Sequence, residues 1–283
     1  MNDKPSVVFL IPFASGKVRS NWPTACKYLQ QTLRSIRSSA SENYRVVVAG
    51  NEEPELEMGF DSKIRFRLVK HSFPSHSNHR AAFRLDKLAK IDAAWTYAKA
   101  SWQPKYVMKL DADDFISSKL VGWLDDYGTE AGYLIRHGWF WRSGARYLIQ
   151  RTEYLDRVCG SCLMIRSDLA DLKGPFLTEA EGAVLDEAGS RFAASDHYSL
   201  VPGSWSTTLL LNDTHQRYAA QFSYLGYELH TFPFEAVIYR ASSDSVTGVS
   251  GDGARKFNVR MTLGAIRRTR FITQSLRKEF MLG

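Results

Sequence analysis

The chain has little cysteine, three residues in 283, and no apolar stretch approaches the roughly 20 residues that a membrane-spanning helix requires. An odd, sparse set of thiols (Cys26, Cys159 and Cys162) argues against a disulfide framework and points to a reducing, cytoplasmic compartment. The opening MNDKPSVVFLIPF lacks a basic leader region and a small-residue cleavage site, so its apolar run reads as a first core strand. Cys159 and Cys162 form a C-x-x-C without a second ligand pair. The Leu163-Met164-Ile165 that follows reads as strand, not as the helix start of a redox motif, so buried structural thiols are favoured over zinc or redox chemistry. Excess charge is nearly missing from the body: residues 251–283 hold eight basic and two acidic residues, a net +6 of the chain's +7. That distribution disfavours a uniformly basic nucleic-acid-binding protein and describes a near-neutral body with a basic tail.

What is present is the composition of a globular chain, 44% hydrophobic and 24% charged, long enough for one large α/β domain or two small ones. VVFLIPF, from Val7 to Phe13, is a continuous apolar run suited to a central strand buried on both faces; Pro12 stops its ladder, and Ala14-Ser15-Gly16 makes a small turn. Ser20 or Asn21 can cap a following helix with Pro23 in its first turn, and Trp22, Cys26, Leu29, Leu33 and Ile36 recur at helical spacing. YRVVVAG, from Tyr44, is a second buried strand, so the three elements form a right-handed βαβ unit. Its end, Gly50-Asn51-Glu52-Glu53, then lies beside the end of the first strand; a solvated acidic loop is the plain reading of it. Ile64 to Val69 is a shorter strand. The loop from His71 to Arg80, with His71, His76 and His79, matches no common zinc spacing. Asp86 to Ala100 reads as a helix with Leu88, Ile91, Trp95 and Ala98 inward. Lys87 and Lys90 fall near its start, against the macrodipole, where they could serve a phosphate.

The next strand is the one around which the chain is organised. In KYVMKLDADDF, from Lys105, the apolar Tyr106-Val107-Met108 and Leu110 end abruptly in Asp111, Asp113 and Asp114. A buried strand whose carboxyl end carries clustered acids places hard oxygen donors at the edge of an α/β sheet, where ligands bind. Mg2+ and Mn2+ prefer such oxygens and share their shell with phosphates. The bland alternative is an acidic turn.

Two strand–helix units followed by Asp111-Ala112-Asp113 resemble the nucleotide-binding half of a family-2-type glycosyltransferase with a GT-A fold, over roughly residues 5–245. The resemblance implies a Rossmann-like α/β/α sandwich with a mixed central sheet. It implies a catalytic domain over 1–250, with a nucleotide-binding half to about 116 and an acceptor half from 117. It further implies Mn2+ or Mg2+ at Asp111 and Asp113, a nucleotide-diphosphate sugar donor, and a glycan or glycoconjugate acceptor. Pro12, Phe13, Asn51, Glu52, Lys87, Lys90 and Ala112 would lie along the donor. On the acceptor side, Trp139 and Trp141 in GYLIRHGWFW could offer a sugar platform, with Phe140 and Tyr147, or be core. Gly160 and Ser161, in VCGSCLMIR, resemble the family's Gly-rich strand lining the acceptor. An inverting member needs an acid as base. Asp213, before an expected helix from His215 to Leu225, fits the order better; Asp196 fits the distance from the metal motif better. The closing strand in FPFEAVIYRASSDSVTG lacks the His that often follows it in the family.

The segment from Phe257 to Phe280 reads as a helix carrying apolar residues among basic ones. It suits either the anionic inner face of a membrane or packing against the domain. Two other functional readings compete: a membrane- or nucleic-acid-binding protein acting through this tail, and a nucleotidyltransferase, for which Ala14 to Arg19 is a thin phosphate loop.

Overall fold

Val7–Pro12 (β1) runs parallel to Tyr44–Gly50 (β2) on one side and to Tyr106–Lys109 (β4) on the other, so the strand that opens the fold sits at the middle of a sheet. The computed structural model describes residues 4–16, 21–70, 80–172, 211, 218–241 and 267–282. Val7 to Ile11 are fully buried, as a run of apolar residues without polar alternation requires. Outside β2 lies Ile64–Leu68 (β3), also parallel. Beyond β4 the direction reverses. Leu163–Arg166 (β9) is antiparallel to β4 and pairs antiparallel with Gly132–Leu134 (β6), giving a six-stranded order β3-β2-β1-β4-β9-β6. The fold is therefore α/β with a mixed central sheet, as expected for a GT-A-type arrangement.

Two helices make the crossovers. Trp22–Arg37 (α1) is capped by Asn21, whose Oδ1 accepts from the Thr24 N–H at 3.1 Å. Its inner face buries Cys26, Leu29, Leu33 and Ile36. Arg80–Trp102 (α2) begins earlier than the Asp86 expected from sequence, so Lys87 and Lys90 lie within the helix and not at its start. The macrodipole argument for a phosphate there falls away, and the tertiary neighbours of each lysine decide its role instead.

A second sheet of five strands stands beside the first. Phe115–Ile116 (β5) follows the acid cluster directly and pairs with Val237–Ala241 (β10), which runs parallel to Gly138–Arg142 (β7). Between β5 and β6 lies Leu120–Tyr127 (α3). Tyr147–Arg151 (β8) forms an antiparallel hairpin with β7. GYLIRHGWFW thus splits into two strands in different sheets. Short helices Ser167–Ala170 (α4) and Tyr218–Tyr224 (α5) complete the middle of the chain.

The basic tail is part of this second sheet. Thr269–Phe271 (β11) pairs with β8, and Gln274–Phe280 (α6) follows, capped by Thr273. Of the helix expected from Phe257 to Phe280, residues 257–266 lie outside the described residues, and the described part is not one helix, because Thr269-Arg270-Phe271 meets the open edge of β8 as a strand. Phe280 and Leu282 enter a second core with Phe115, Trp139, Trp141, Leu148 and Ile238. Glu279 ties α6 to the end of β5, accepting from the Ser117 hydroxyl at 2.6 Å and from Lys119 Nζ at 3.0 Å. No described helix is long and apolar enough to cross a membrane.

Candidate active site

The acid cluster forms a tight turn at the carboxyl end of β4, where the central sheet and the second sheet meet. Leu110 continues the ladder by donating its N–H to the Leu10 carbonyl at 2.9 Å, and Asp114 N–H closes the turn on the Asp111 carbonyl at 3.2 Å. From α1, the Thr32 hydroxyl donates to the Ala112 carbonyl at 3.0 Å. The turn is therefore held by the first strand and the first helix.

The three acids have different roles. Asp114 is fully buried. Its Oδ2 accepts from the Ser161 hydroxyl at 2.7 Å and from the Cys159 thiol at 3.4 Å, and its Oδ1 accepts from the Arg240 N–H at 3.0 Å. Burial, followed by the charges of Asp113 and Asp111, pushes the Asp114 carboxyl well above its usual range; the Ser161 and Arg240 bonds pull the other way. Asp114 is thus an internal brace. Asp111 and Asp113 are partly exposed and open toward solvent.

Lys87, from α2, places Nζ 2.5 Å from Asp111 Oδ1. Burial pulls this ammonium down, but the pull is outweighed by Asp111, with Asp114 and Asp113 behind it, and the group is raised above its ordinary value. Gly160 faces the other oxygen: a Cβ there would sit 2.6 Å from Asp111 Oδ2 and 3.3 Å from Lys87 Nζ. The Asp111 carboxylate is thus gripped on one side and allowed room on the other only because residue 160 has no side chain.

Lys90 is buried to 1% exposure, with Nζ 2.6 Å from Asp86 Oδ2. Burial lowers its pKa, opposed by Asp86 and then by Glu52. It lies inside the fold, and its ion pair is with Asp86 and not with the acid turn. Glu52, at the end of β2, holds the turn after β1: its Oε1 accepts from the Ser15 hydroxyl at 2.9 Å and from the Gly16 N–H. Asn51 donates from Nδ2 to the Val69 carbonyl at 3.1 Å. Phe13 is buried and its ring packs 5.0 Å from that of Trp22. The β1 and β2 ends therefore meet as the βαβ reading required, in a loop that is organised by Glu52. Glu52→Ala is expected to lower stability by about 1–2 kcal/mol, from two lost hydrogen bonds and a slack loop. Urea unfolding reads this directly; an unchanged midpoint would mean that the loop is held by other contacts.

Several expected acceptor-side residues lie elsewhere. Trp139 and Trp141 are 8% exposed and form the second core, because alternation along β7 turns them inward and leaves Phe140 and Arg142 facing the other way. Ser161 is fully buried beneath the acid turn, where its Oγ also accepts from the Asp111 N–H at 2.8 Å. Cys159 and Cys162 are free, buried thiols raised above their ordinary values chiefly by burial. Buried, protonated thiols are poor nucleophiles and metal ligands. Asp213, Asp196 and His71 to His79 lie outside the described residues.

Sequence reasoning missed Arg240, whose signal was a lone cation in the apolar run of β10. It also missed the division of labour among the three acids, which depends on contacts from residues some 50 to 130 positions away.

Among the described residues no group of three or more His, Cys, Asp and Glu side chains is arranged to hold a metal ion. A pair of carboxylates still suits Mg2+ or Mn2+, which take few protein ligands and complete their shells with water and phosphate oxygens. The room that Gly160 leaves beside Asp111 Oδ2 is compatible with that.

No protein-family model and no curated protein sequence matches the chain. Among solved structures, a crystal structure of S. aureus TarS is similar over 84% of this chain and 37% of that one, at 11% identity and a TM-score of 0.41. A crystal structure of S. aureus TarS residues 1–349 is similar over 84% of this chain and 61% of its own, at 10% identity and a TM-score of 0.42. The chain thus spans less than two thirds of either.

Proposed function

We propose that this chain is a glycosyltransferase that moves a sugar from a nucleotide-diphosphate donor to a glycan or glycoconjugate acceptor, with inversion. The observation that carries the reading is the Asp111 carboxylate at the sheet's carboxyl edge, with Lys87 Nζ at 2.5 Å on one side and the side-chain-free Gly160 on the other. A site with two accessible carboxylates and an ammonium suits a cation–diphosphate pair. The loop held by Glu52, with Pro12, Phe13 and Asn51, lies at the neighbouring strand ends and would receive the nucleoside.

Asp111 and Asp113 would hold Mn2+ or Mg2+, whose charge would stabilise the diphosphate as it leaves. Lys87 adds positive charge at the same point and orients Asp111. The base we assign is Asp213, which would take the proton from the acceptor hydroxyl while that oxygen bonds to the anomeric carbon. The bond from that carbon to the diphosphate breaks, and its electron pair departs with the nucleoside diphosphate. Asp213 is chosen over Asp196 because, as the resemblance implies for the base, it precedes a helix and then a Gly-aromatic pair, Gly226-Tyr227. The tail-driven binding alternative is less favoured, since the described part of the tail is built into the second sheet and core.

The test is calorimetric titration of UDP, GDP, CDP and TDP, each with and without Mn2+, into wild type and Asp113→Ala. Binding of one diphosphate that requires the cation and disappears in the variant is the expected result. Failure of all four to bind folded wild-type protein would overturn the donor site.

A further inference from the structure

The tail segment from Arg267 to Leu282 is built into the fold on one side and bare on the other. Ile272, Leu276, Phe280 and Leu282 pack in or against the second core. On the outward side Arg267, Arg268, Arg270, Arg277 and Lys278 are exposed, as is Arg146 just before β8. Among the described residues none of these six cations pairs with a carboxylate. The sole acid of the segment, Glu279, is turned to Ser117 and Lys119. Protein surfaces ordinarily mix both signs, so cations without a counter-charge give this face a positive potential that suits an anionic partner.

The face also carries a ring. Phe271, in β11, is 77% exposed, the most exposed of the large apolar side chains described. In the antiparallel register it stands opposite Tyr147, itself 40% exposed, so the two rings share the sheet face that points away from Leu148 and the second core. Arg270 precedes Phe271 in its strand, and the Arg146 carbonyl accepts the Ile272 N–H at 3.0 Å, so cations flank the rings on both strands. Charge on an outer strand commonly guards against pairing with another chain. That accounts for Arg270 but not for Phe271, which works against such protection. A second copy docking here would set like charges against each other, and a nucleic acid is tracked by cations strung along a groove. Arginines flanking an exposed Phe on an outer strand match a lipid interface instead: cations meet headgroup phosphates, and the ring enters the boundary with the acyl chains.

We propose that the edge formed by β11, the start of β8 and α6 is a docking surface for an anionic phospholipid bilayer, with Phe271 and Tyr147 at the lipid boundary and the arginines on headgroup phosphates. The proposal is independent of the donor-site reading. β11 and β5 are opposite edges of the second sheet, so four strand spacings, roughly 19 Å, separate Phe271 from the strand that follows the acid turn. Docking at β11 therefore need not cover Asp111 or Asp113.

The experiment is co-sedimentation of the full chain with phosphatidylcholine vesicles and with vesicles of equal parts phosphatidylcholine and phosphatidylglycerol, at low and at high salt. Binding to the anionic vesicles alone, weakened by salt, is the expected result. The double variant Arg267→Gln, Arg268→Gln should bind roughly 10–30-fold more weakly. Phe271→Ser should bind roughly tenfold more weakly. The substituted side chains are exposed, so thermal midpoints should stay near wild type; if Phe271→Ser does not fold, Phe271→Thr, a better strand former, carries the same arm. No binding of wild type to the anionic vesicles would overturn the proposal. Phe271→Ser binding as tightly as wild type would overturn the placing of that ring at the lipid boundary. Tighter binding to a single-stranded oligonucleotide than to vesicles, lost in the same variants, would overturn the proposal in favour of nucleic acid. A dimer by light scattering that Phe271→Ser dissociates would overturn it in favour of a second copy. Vesicle binding by a wild-type protein that binds none of the four diphosphates would uphold the docking surface while removing the donor-site reading.

Discussion

Asp114→Ala is expected to remove about 3 kcal/mol of folding stability, a large share of the roughly 5–15 kcal/mol that holds a protein of this kind together. The carboxylate is fully buried and gathers the Ser161 hydroxyl, the Cys159 thiol and the Arg240 N–H around one turn. Alanine leaves all three donors facing a void with no water to replace the lost acceptor. Asp114→Asn should cost less. Its carbonyl can still accept from Arg240 N–H, and the Ser161 hydroxyl can rotate to accept from the new amide. The order of urea midpoints should therefore be wild type, then Asn, then Ala. An alanine variant that unfolds with wild type would mean the turn is held by Thr32 and the strand ladder alone. The variant should also lose ligand binding, because Asp111 and Asp113 are separated from the brace by only a few bonds of backbone.

Gly160→Ala should separate binding from folding. Gly160 is not among the described glycines with positive φ, which are Gly59, Gly144 and Gly226, so alanine is acceptable to the backbone and the conflict is one of space. The added methyl would lie 2.6 Å from Asp111 Oδ2, well inside contact distance, while Lys87 restrains the same carboxylate through Oδ1. The carboxylate must turn, and the Lys87 contact must lengthen or break. Cation-dependent diphosphate affinity should drop roughly 10–100-fold, the range seen when the support of a ligating group is disturbed. The thermal midpoint should move little, since the displaced group is partly exposed and has solvent to turn into. Affinity equal to wild type in this variant would show that the ligand does not depend on the Asp111 orientation seen here.

The contrast between the two variants shows why the site was only half legible. KYVMKLDADDF announces a buried strand ending in acids, because the strand's apolar run and the acids are adjacent in the chain. Nothing in that stretch says which acid is swallowed by the core. Asp114 is, because β5 begins immediately after it and pairs with β10, which carries the main-chain donor of Arg240 into reach. Lys87 and Lys90, three positions apart on one helix, have opposite fates for a similar reason: one meets Asp111 across the site, and the other turns inward to Asp86. By sequence Trp139 and Trp141 suit a sugar platform or a core equally, and the pairing of β7 with β10 selects core.

By itself the sequence determined the α/β class, the central place of VVFLIPF and the strand that delivers the acids, because continuous apolar runs, helical periodicity and caps act within a few residues of one another. The tertiary structure decided what those elements could not: the antiparallel β9 that makes the central sheet mixed, the strand within the basic tail, the burial of Ser161 and the place of Arg240. Each depends on which distant strand edge or side chain comes to lie alongside. Such pairings are set by the packing of the whole fold, and no local pattern encodes them.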